Sequence, residues 1–417
     1  MNDCESIIIK TNHILVCSDI QYESIPHRYE FEYVKEHFCG NIFTDLHVFT
    51  DYVKNTDMTN AHIYLCGDIK HYHDTTDICL PSVHIVENIS YNYDNVYIND
   101  YARVNSGTLP MNIYDTGVYF RNIFDSSKNY FELVSSEHSF QTLTESNKPL
   151  NALRTGIYLS NVYETYDKEL IFNLLRCSSN FAGPTDNFRE TDKLIIDRVN
   201  CLATSVFKNS AVLNHVLAQI YTNICDNGTN RKAKIKKHSD KTKDMPRNGL
   251  IAFVTFYKDL QQETNRTYQD SDMFNYYDRD TNTSILTKMR FTLKNKSCNN
   301  NVKTFDIVLY PNSVFIISLE TNRLYTHEII PSSLSVDKIP TRMGYVMRCS
   351  NTQAFYKDDD TILICRYGET IKLDKPTREG VEALKRIYYK ENTSDELIIY
   401  DMFNFSMNNG DYKKPML

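Results

Sequence analysis

The sequence predicts an α+β protein in which a small α/β unit precedes a larger domain built mainly of strands. Short apolar runs rich in β-branched residues recur between segments containing Asp, Asn or Gly, which is typical of strands. Helical spacing is confined to a few stretches, most clearly residues 192–206 and 378–390. A chain of 417 residues is long enough for two or three domains with sizeable cores.

Residues 1–104 are predicted to form an N-terminal α/β domain of unknown role, and residues 105–417 the second domain. The N-terminal part contains one helical stretch, YEFEYVKEHF, among several short apolar runs. The clearest of these runs are SIIIK, HILVC, HIYLC, SVHIV and NVYIN.

Bulk composition excludes several classes of protein. The net charge of -7 argues against a protein that coats nucleic acid over its whole surface. The N-terminus lacks the pattern of a secretory signal, and no apolar run reaches the length of a membrane span. The 11 cysteines are scattered and include no C-x-x-C pair, which favours free thiols in a reducing compartment. We therefore expect an intracellular protein of the cytoplasm or nucleus, without predicting its oligomeric state.

Within the second domain, strands and helices follow one another in a readable order. A helix over 192–206 leads into the strand VLAQIYTN, and LIAFVTFY has the continuous apolar character of a strand buried on both faces. The polar, tyrosine-rich residues 258–285 are predicted to form a long insertion between strands, of the kind that often serves as a lid or substrate loop, with disorder as the alternative. Three strands (KMRFTLK, TFDIVLY, SVFIISL), a hairpin (AFYKDDDTILICRY) and a helix over 378–390, capped by Thr377, complete the domain.

The motif His238-Ser239-Asp240 carries a candidate metal site. On a strand, the side chains of residues i and i+2 point to the same face. One imidazole and one carboxylate supply two of the three ligands of a facial triad for non-haem Fe(II). An isolated H-x-D is common by chance, so the prediction depends on a third ligand, for which His327 is the candidate.

Arg342, Gly344, Val346 and Arg348 fall on one face of a predicted strand. Two guanidinium groups pointing inward are costly unless an anion meets them, and Gly344 leaves room for one to approach. We expect Arg342 to bind the distal carboxylate of 2-oxoglutarate, and Arg348 to hold Asp240 or the proximal carboxylate. The 15 residues from His327 to Arg342 suit two successive antiparallel strands of a barrel. The alternative is that the histidines are ordinary strand-end residues and the arginines a structural ion-pair site.

The order H-S-D, N-R-L-Y-T-H-E-I and R-M-G-Y-V-M-R resembles the AlkB-type family of Fe(II)/2-oxoglutarate dioxygenases over roughly residues 200–355. The resemblance implies a double-stranded β-helix (jelly-roll, cupin-like) catalytic core that uses Fe(II), 2-oxoglutarate and O2. The resemblance also implies the residues of the site. The metal ligands would be His238, Asp240 and His327. The co-substrate would be held by Arg342, Arg348, Tyr221 and Gln219.

The chain departs from the family pattern at several positions. Gln219 stands where the family has Asn, and Gly344 and Val346 replace Asn and Thr between the two arginines. Lys241 and Lys243 lie where AlkB-like enzymes carry acidic residues that recognise the substrate. The resemblance therefore bears on the chemistry more directly than on the substrate.

The predicted activity is hydroxylation or oxidative demethylation of a substrate C–H bond. Residues 231–247 hold eight basic residues against two acidic ones, a local charge of +6 beside the predicted iron. This segment favours single-stranded nucleic acid, with Tyr268, Tyr276 and Tyr277 available to stack on a base. Lysines on an exposed edge strand also serve simply to prevent strand pairing. A protein side chain, a small molecule, or binding without catalysis on the same fold remain the alternatives.

Overall fold

Strands outnumber helices in the structure, and the predicted α+β class is confirmed. The protein is described here by a computed structural model. It covers residues 7–417 except 11, 19–23, 71, 73–81, 93–100, 144–152, 177–180, 259, 261–265, 270, 296–301, 366–367 and 401–402. Across these residues, no helix has both the length and the apolar character needed to cross a bilayer.

The described part of the first 104 residues contains a parallel sheet and two helices. Its elements are β1 (Ile7–Ile8), β2 (His13–Ser18), α1 (Arg28–His37), β3 (Asn41–Phe43), α2 (Leu46–Lys54), β4 (His62–Asp68), β5 (Val83–Tyr91) and β6 (Ala102–Val104). Strands β2 to β6 form one sheet in the order β3-β2-β4-β5-β6, and every pair in it is parallel. Helix α1 coincides with the predicted YEFEYVKEHF helix. The division of the chain at residue 104 stays a prediction, because Leu15 and Phe31 share an apolar cluster with Phe253 and Phe315 of the second part.

Strands dominate the remainder of the chain. Up to residue 231 the elements are β7 (Met111–Ile113), β8 (Gly117–Phe120), α3 (Tyr130–Glu137), β9 (Gln141–Thr142), β10 (Arg154–Ser160), β11 (Tyr163–Glu164), β12 (Leu170–Leu174), β13 (Asp186–Asn187), α4 (Glu190–Val206), β14 (Phe207–Lys208), β15 (His215–Tyr221), β16 (Ile224–Asp226) and β17 (Thr229–Arg231). From there to residue 330 they are β18 (Ile235–His238), β19 (Leu250–Tyr257), β20 (Arg266–Gln269), β21 (Asp272–Asp278), β22 (Thr283–Ser284), β23 (Lys288–Leu293), β24 (Thr304–Val308), β25 (Ser313–Ser318), α5 (Leu319–Leu324) and β26 (Tyr325–Ile330). The last elements are β27 (Arg342–Arg348), β28 (Thr352–Lys357), β29 (Asp360–Ile364), β30 (Thr370–Lys372) and α6 (Arg378–Thr393).

Two sheets face each other around the main core. The larger has the order β13-β10-β15-β27-β19-β25-β8-β7, with β9 added to β10, and the smaller has the order β18-β26-β23-β24. Between β15 and β27 the chain passes back and forth between them. The ring of Phe291 in the smaller sheet lies 6.5 Å from Phe253 and 5.5 Å from Phe315 in the larger. The interior between the sheets is therefore apolar and aromatic.

The outer face of the larger sheet is covered by helices α3 and α4. Phe131 and Val199 from these helices cluster with Val254 and Ile316 of the sheet. Strand β19 consequently has an apolar layer on each side, and all eight of its residues are buried. This confirms the interpretation of LIAFVTFY as a doubly buried strand.

The prediction for residues 258–285 was wrong in its local structure. The described residues there form an antiparallel sheet of β20, β21 and β22 instead of a polar loop. Phe274 is buried in the main apolar cluster, and Lys338 forms ion pairs with Asp278 and Asp280. Three residues of β21 are buried, Phe274, Asn275 and Asp278, and because two of them are polar the composition did not reveal the strand.

The two predicted helices of the second part are present with shifted ends. Helix α4 begins at Glu190, because the Asp192 carboxylate accepts a hydrogen bond from the backbone N–H of Arg189 (2.8 Å). Helix α6 is capped by Thr377, whose hydroxyl accepts from the N–H of Gly380 (3.0 Å), as predicted. It continues to Thr393, three residues beyond the predicted end, and this extra turn carries Glu391 and Asn392.

Candidate metal centre

His238, Asp240 and His327 lie together at one end of the interior. His238 ends β18 and faces His327 directly in the register between β18 and β26, so their ring centroids are 4.4 Å apart. The Nε2 atoms of His238 and His327 lie 3.7 and 3.9 Å from Oδ1 of Asp240. One donor atom from each residue falls within 4.8 Å of the others, which is a spacing at which a single ion can be shared.

Asp240 reaches this position by a route that the sequence did not predict. Strand β18 ends at His238, so the period-two argument that placed both ligands on one strand face was wrong for Asp240. Instead, the amide of Asn322 accepts from the N–H of Asp240 (2.9 Å) and donates to its carbonyl oxygen (3.0 Å). The side-chain amide replaces the strand pairing that the backbone has lost.

Both histidines are in the form that binds metals. His238 Nδ1 lies 2.8 Å from the carbonyl oxygen of Lys236, so Nδ1 carries the proton and Nε2 keeps its lone pair. Burial lowers the pKa of His238. Burial and the neighbouring His238 together lower the pKa of His327 to about 3. The rings are therefore neutral at pH 7. Nδ1 of His327 is buried with no hydrogen-bond partner among the described residues.

Arg348 keeps Asp240 ionised and oriented. Its Nε and Nη2 atoms each lie 2.8 Å from Oδ2 of Asp240, which leaves Oδ1 directed at the two histidines. Burial by itself raises the pKa of the Asp240 carboxyl, but the guanidinium of Arg348 and the two neighbouring histidines together outweigh this effect and hold the pKa below its ordinary value. Of the two roles predicted for Arg348, the structure shows the contact with Asp240.

Arg342 lines the same cavity, and none of the described carboxylates pairs with it. The cavity has a volume of about 210 Å³, and all four residues predicted on one face of β27 contribute to its wall, together with the metal-ligand group. Arg342 is 4 % exposed, its Cζ lies 4.2 Å from the centre of the Tyr221 ring, and its Nη2 has no hydrogen-bond partner within the described structure. A buried guanidinium without an anion is costly, so this group is suited to bind one.

Gly344 makes room for that guanidinium. A Cβ atom at this position would lie 2.9 Å from Nη1 of Arg342 and 3.2 Å from the ring of Tyr221. A larger residue would therefore force Arg342 or Tyr221 to move. The departure from the family pattern at Gly344 is therefore explained by the lack of space for a side chain.

Gln219 and Tyr221 lie on strand β15, which pairs with β27, the strand that carries Arg342. In the register between β15 and β27, Tyr221 faces Arg342 and Gln219 faces Gly344. The Tyr221 hydroxyl donates to Oε1 of Gln219 (3.0 Å), while the buried Nε2 of Gln219 has no partner among the residues described. A second donor beside Arg342 thus faces the cavity wall.

His327 and Arg342 lie on successive strands, but not on adjacent ones. Strand β26 belongs to the smaller sheet and β27 to the larger. The two residues therefore lie on successive strands, as the spacing predicted, although these strands do not pair with each other. The two residues instead approach the cavity from opposite sheets, which places the candidate metal ligands and the candidate anion site on facing walls.

The basic segment divides into structural and exposed residues. Lys241 donates to Oδ1 of Asn392 (2.8 Å) and to the carbonyl of Tyr388 (3.2 Å), so it is bound to helix α6. Lys243 is buried beside Asp244 (3.9 Å). The exposed basic residues of the segment are Lys234, Lys236, Lys237 and Arg247.

Strand β18 lies at the edge of the smaller sheet, where lysines also hinder strand pairing. The side chain of Tyr268 lies outside the described part of the structure. Tyr276 and Tyr277 are on β21 and do not line the cavity that holds the metal-ligand group. The structure thus gives no role at this cavity to the two described tyrosines proposed for base stacking.

A second cluster, Glu137, His138 and Asp192, also brings metal-capable side chains together. Both ring nitrogens of His138 are already engaged, at 2.8 Å from Asp186 and 2.7 Å from Asp192. Burial lowers the pKa of His138, but the two carboxylates outweigh it and raise the pKa to about 9. A doubly bonded imidazolium has no lone pair for a metal, so this cluster is a structural clamp at the start of α4.

Comparison with known proteins adds little. No protein-family model and no curated protein matches the chain. The chain is similar to a solved structure of OsALKBH1 with 11% sequence identity and a TM-score of 0.30, over 56% of this chain and 96% of that chain. A similarity this low does not establish a shared fold, so the case for function depends on the site.

The buried pair of Asp240 and Arg348 gives a first test that needs no metal. We expect Asp240→Asn to lower the free energy of unfolding of the metal-free protein by about 3–5 kcal/mol, because it removes the carboxylate that meets the buried charge of Arg348. The matched control is Asp306→Asn, which breaks the exposed pair with Arg290 and should cost under about 1 kcal/mol. Urea unfolding measures both values, and equal costs would contradict the assigned importance of the buried pair.

Proposed function

We propose that the protein is an Fe(II)- and 2-oxoglutarate-dependent dioxygenase with a double-stranded β-helix core, similar to AlkB-type enzymes. One observation carries the proposal: two histidines and a carboxylate share a small cavity with a buried arginine that has no carboxylate partner among the described residues. The first group suits a divalent metal, and the second suits the distal carboxylate of a dicarboxylic acid. No single sequence motif would by itself predict both the metal site and the carboxylate site.

The strand order supports the proposed core. Eight of the strands between β15 and β27 divide equally between the facing sheets. Strands β15, β27, β19 and β25 are adjacent in the larger sheet, which continues with further strands on both sides, and β18, β26, β23 and β24 form the smaller one. Two facing layers that each receive four of eight strands are the pattern expected of a jelly roll.

The donors fit Fe(II). Two neutral imidazole nitrogens and one carboxylate oxygen on one side of a metal leave the remaining positions open for a co-substrate and O2. When bound, the metal with 2-oxoglutarate supplies the oxidising chemistry that removes hydrogen from a substrate C–H bond. His238, Asp240 and His327 would hold it. His238 also donates Nδ1–H to a backbone carbonyl, as metal-bound histidines usually do, whereas the buried Nδ1 of His327 has no partner among the described residues.

The chain's other residues prepare the cavity for this chemistry. Arg342 binds and orients the distal carboxylate through paired N–H donors, a geometry that guanidinium provides and ammonium does not. Gln219 offers its amide from the neighbouring strand. Apolar walls that include Phe253 and Val346 exclude water and strengthen the charged contacts. Arg348 holds Asp240 in its ionised form.

Two alternatives make different predictions. If the arginines formed only a structural ion-pair site, both would have carboxylate partners; Arg348 has one, and Arg342 has none in the described part of the chain. A non-catalytic binding protein on this fold would retain the cavity but not turn over. Turnover therefore separates it from the enzyme.

The first test of activity is uncoupled conversion of 2-oxoglutarate to succinate. Purified protein with Fe(II), ascorbate and O2 should produce succinate without added substrate, and His238→Ala should abolish this activity because a metal ligand is lost. Lys390→Ala, an exposed change on helix α6, should have no effect. Absence of succinate with the wild-type protein would favour a non-catalytic binding protein.

A second test concerns the co-substrate. Arg342→Ala should raise the KM for 2-oxoglutarate roughly 100-fold, because a buried charge-assisted pair with the distal carboxylate is worth about 3 kcal/mol. Metal affinity should be unchanged, since Arg342 contacts none of the ligands. Arg290→Ala, on the outer face of the smaller sheet, is the control. An unchanged KM in Arg342→Ala would contradict the role given to this residue.

We further propose single-stranded nucleic acid as the substrate, with a protein side chain as the alternative. Lys236 and Lys237 are exposed on β18, Lys234 is exposed immediately before it, and the strand ends at His238. A phosphate backbone bound along this edge would run toward the candidate metal. Binding by cations to phosphates is sensitive to salt, whereas recognition of a neutral peptide is not.

Salt dependence of binding to a single-stranded oligonucleotide tests this choice. Each phosphate contact contributes about 0.7 to the slope of log affinity against log salt, so changing the three lysines to glutamine should reduce the slope by up to about 2. The same change at the exposed Lys385 should leave it constant. Fluorescence anisotropy provides the affinities, and binding that is absent or independent of salt would favour a protein substrate.

A further inference from the structure

The segment that carries Asp240 is held by helix α6, which is remote in sequence. Ser239 donates its backbone N–H to Oδ1 of Asn392 (2.8 Å), and Thr242 donates its N–H to the carboxylate of Glu391 (3.0 Å). Both acceptors belong to the last turn of α6, and Asn392 lies 153 residues from Ser239. The backbone that leaves β18 is therefore bonded to side chains of a distant helix.

These bonds fix the geometry between two metal ligands. The N–H of Ser239 is bound by Asn392, and the next N–H, of Asp240, is bound by Asn322. Because each peptide unit is planar, fixing two successive units fixes the backbone dihedral angles of Ser239. Those angles set the position of Asp240 relative to His238. Ser239 is itself fully buried, and its hydroxyl donates to the carbonyl of Tyr325 (3.1 Å).

The two asparagines differ in what they connect. Asn322 lies on α5, immediately before the strand that carries His327, so it links Asp240 to the third ligand. Asn392 has no such neighbour in sequence. Its Oδ1 also accepts from Nζ of Lys241 (2.8 Å), so one oxygen gathers two donors from the segment that follows β18. Two ammonium groups, of Lys241 and Lys294, lie close to the single carboxylate of Glu391 in the same turn, so an anionic oxygen at position 392 would be tolerated.

We infer that Asn392 on helix α6 is a positioning residue for the metal centre. The inference rests on the proposed function, because it concerns the same three ligands. Asn392 acts through the backbone on Asp240 and His238, and touches neither metal nor co-substrate. Loss of its acceptor oxygen frees the peptide between the two ligands, and outer partners of this kind typically contribute 10–100-fold to metal affinity.

Titration of metal-free protein with Co(II), followed by its visible absorption, tests the inference. Asn392→Ala should weaken Co(II) binding roughly 10–100-fold. Asn392→Asp should bind like the wild type, since it keeps the acceptor oxygen and since Lys241 and Lys294 together balance its charge and that of Glu391. Lys390→Ala on the same helix is the matched control. Circular dichroism establishes that every variant is folded at the titration temperature, and Asn392→Ser, whose hydroxyl is too short to reach Ser239, replaces the alanine variant if that protein does not fold.

The outcomes separate the inference from the function beneath it. Equal Co(II) affinity in wild type and Asn392→Ala overturns the positioning role and leaves the metal centre intact. A lowered melting temperature with unchanged affinity does the same, because it shows a role in stability only. Weakening in both the Ala and Asp variants also overturns it, since the acceptor oxygen would then not be the cause. Failure of the wild-type protein to bind Co(II) overturns the proposed metal centre together with the inference.

Discussion

The ion pair between Asp240 and Arg348 joins the two sheets at the point where the candidate site is built. Arg348 ends β27 of the larger sheet, and Asp240 follows β18 of the smaller one. Both side chains are buried, so neither charge is tolerable without the other. The pair fixes one carboxylate oxygen and turns the second toward His238 and His327. The metal site and the packing of the sheets therefore depend on the same contact.

Arg342 and Arg348 occupy the same face of one strand but differ in their partners. Arg348 has its charge met by Asp240, whereas Arg342 lies over the ring of Tyr221 without a described carboxylate. A protein that needed only stability would gain by replacing such a group with an apolar one. The retained charge, the adjacent Gly344 and the shared cavity together favour binding of an anionic co-substrate.

The sequence predicted those features of the site that depend on local periodicity. The period of two along β27 placed Arg342, Gly344, Val346 and Arg348 on one face, and all four line the cavity. The spacing could not show that β26 and β27 belong to different sheets, because pairing of strands depends on long-range packing. It also could not reveal the support of Asp240, since Asn322 and Asn392 lie 82 and 153 residues from the backbone groups that they bind.

The same limits explain the other differences in the fold. Polar composition hid the sheet within residues 258–285, where burial of a few residues such as Phe274 outweighs the abundance of charge. Helix α6 was predicted to end at about Lys390. Its last turn is held by polar contacts from Glu391 and Asn392. Whether the chain divides at residue 104 stays a prediction, as do the roles assigned to the site residues.

A crystal structure of the protein grown without oxygen, in Fe(II) and 2-oxoglutarate, tests the central claim most directly. The proposal predicts one metal ion bound by His238, Asp240 and His327, with the distal carboxylate of 2-oxoglutarate on the guanidinium of Arg342. A metal bound elsewhere, or a co-substrate that leaves Arg342 without an anion, would contradict it.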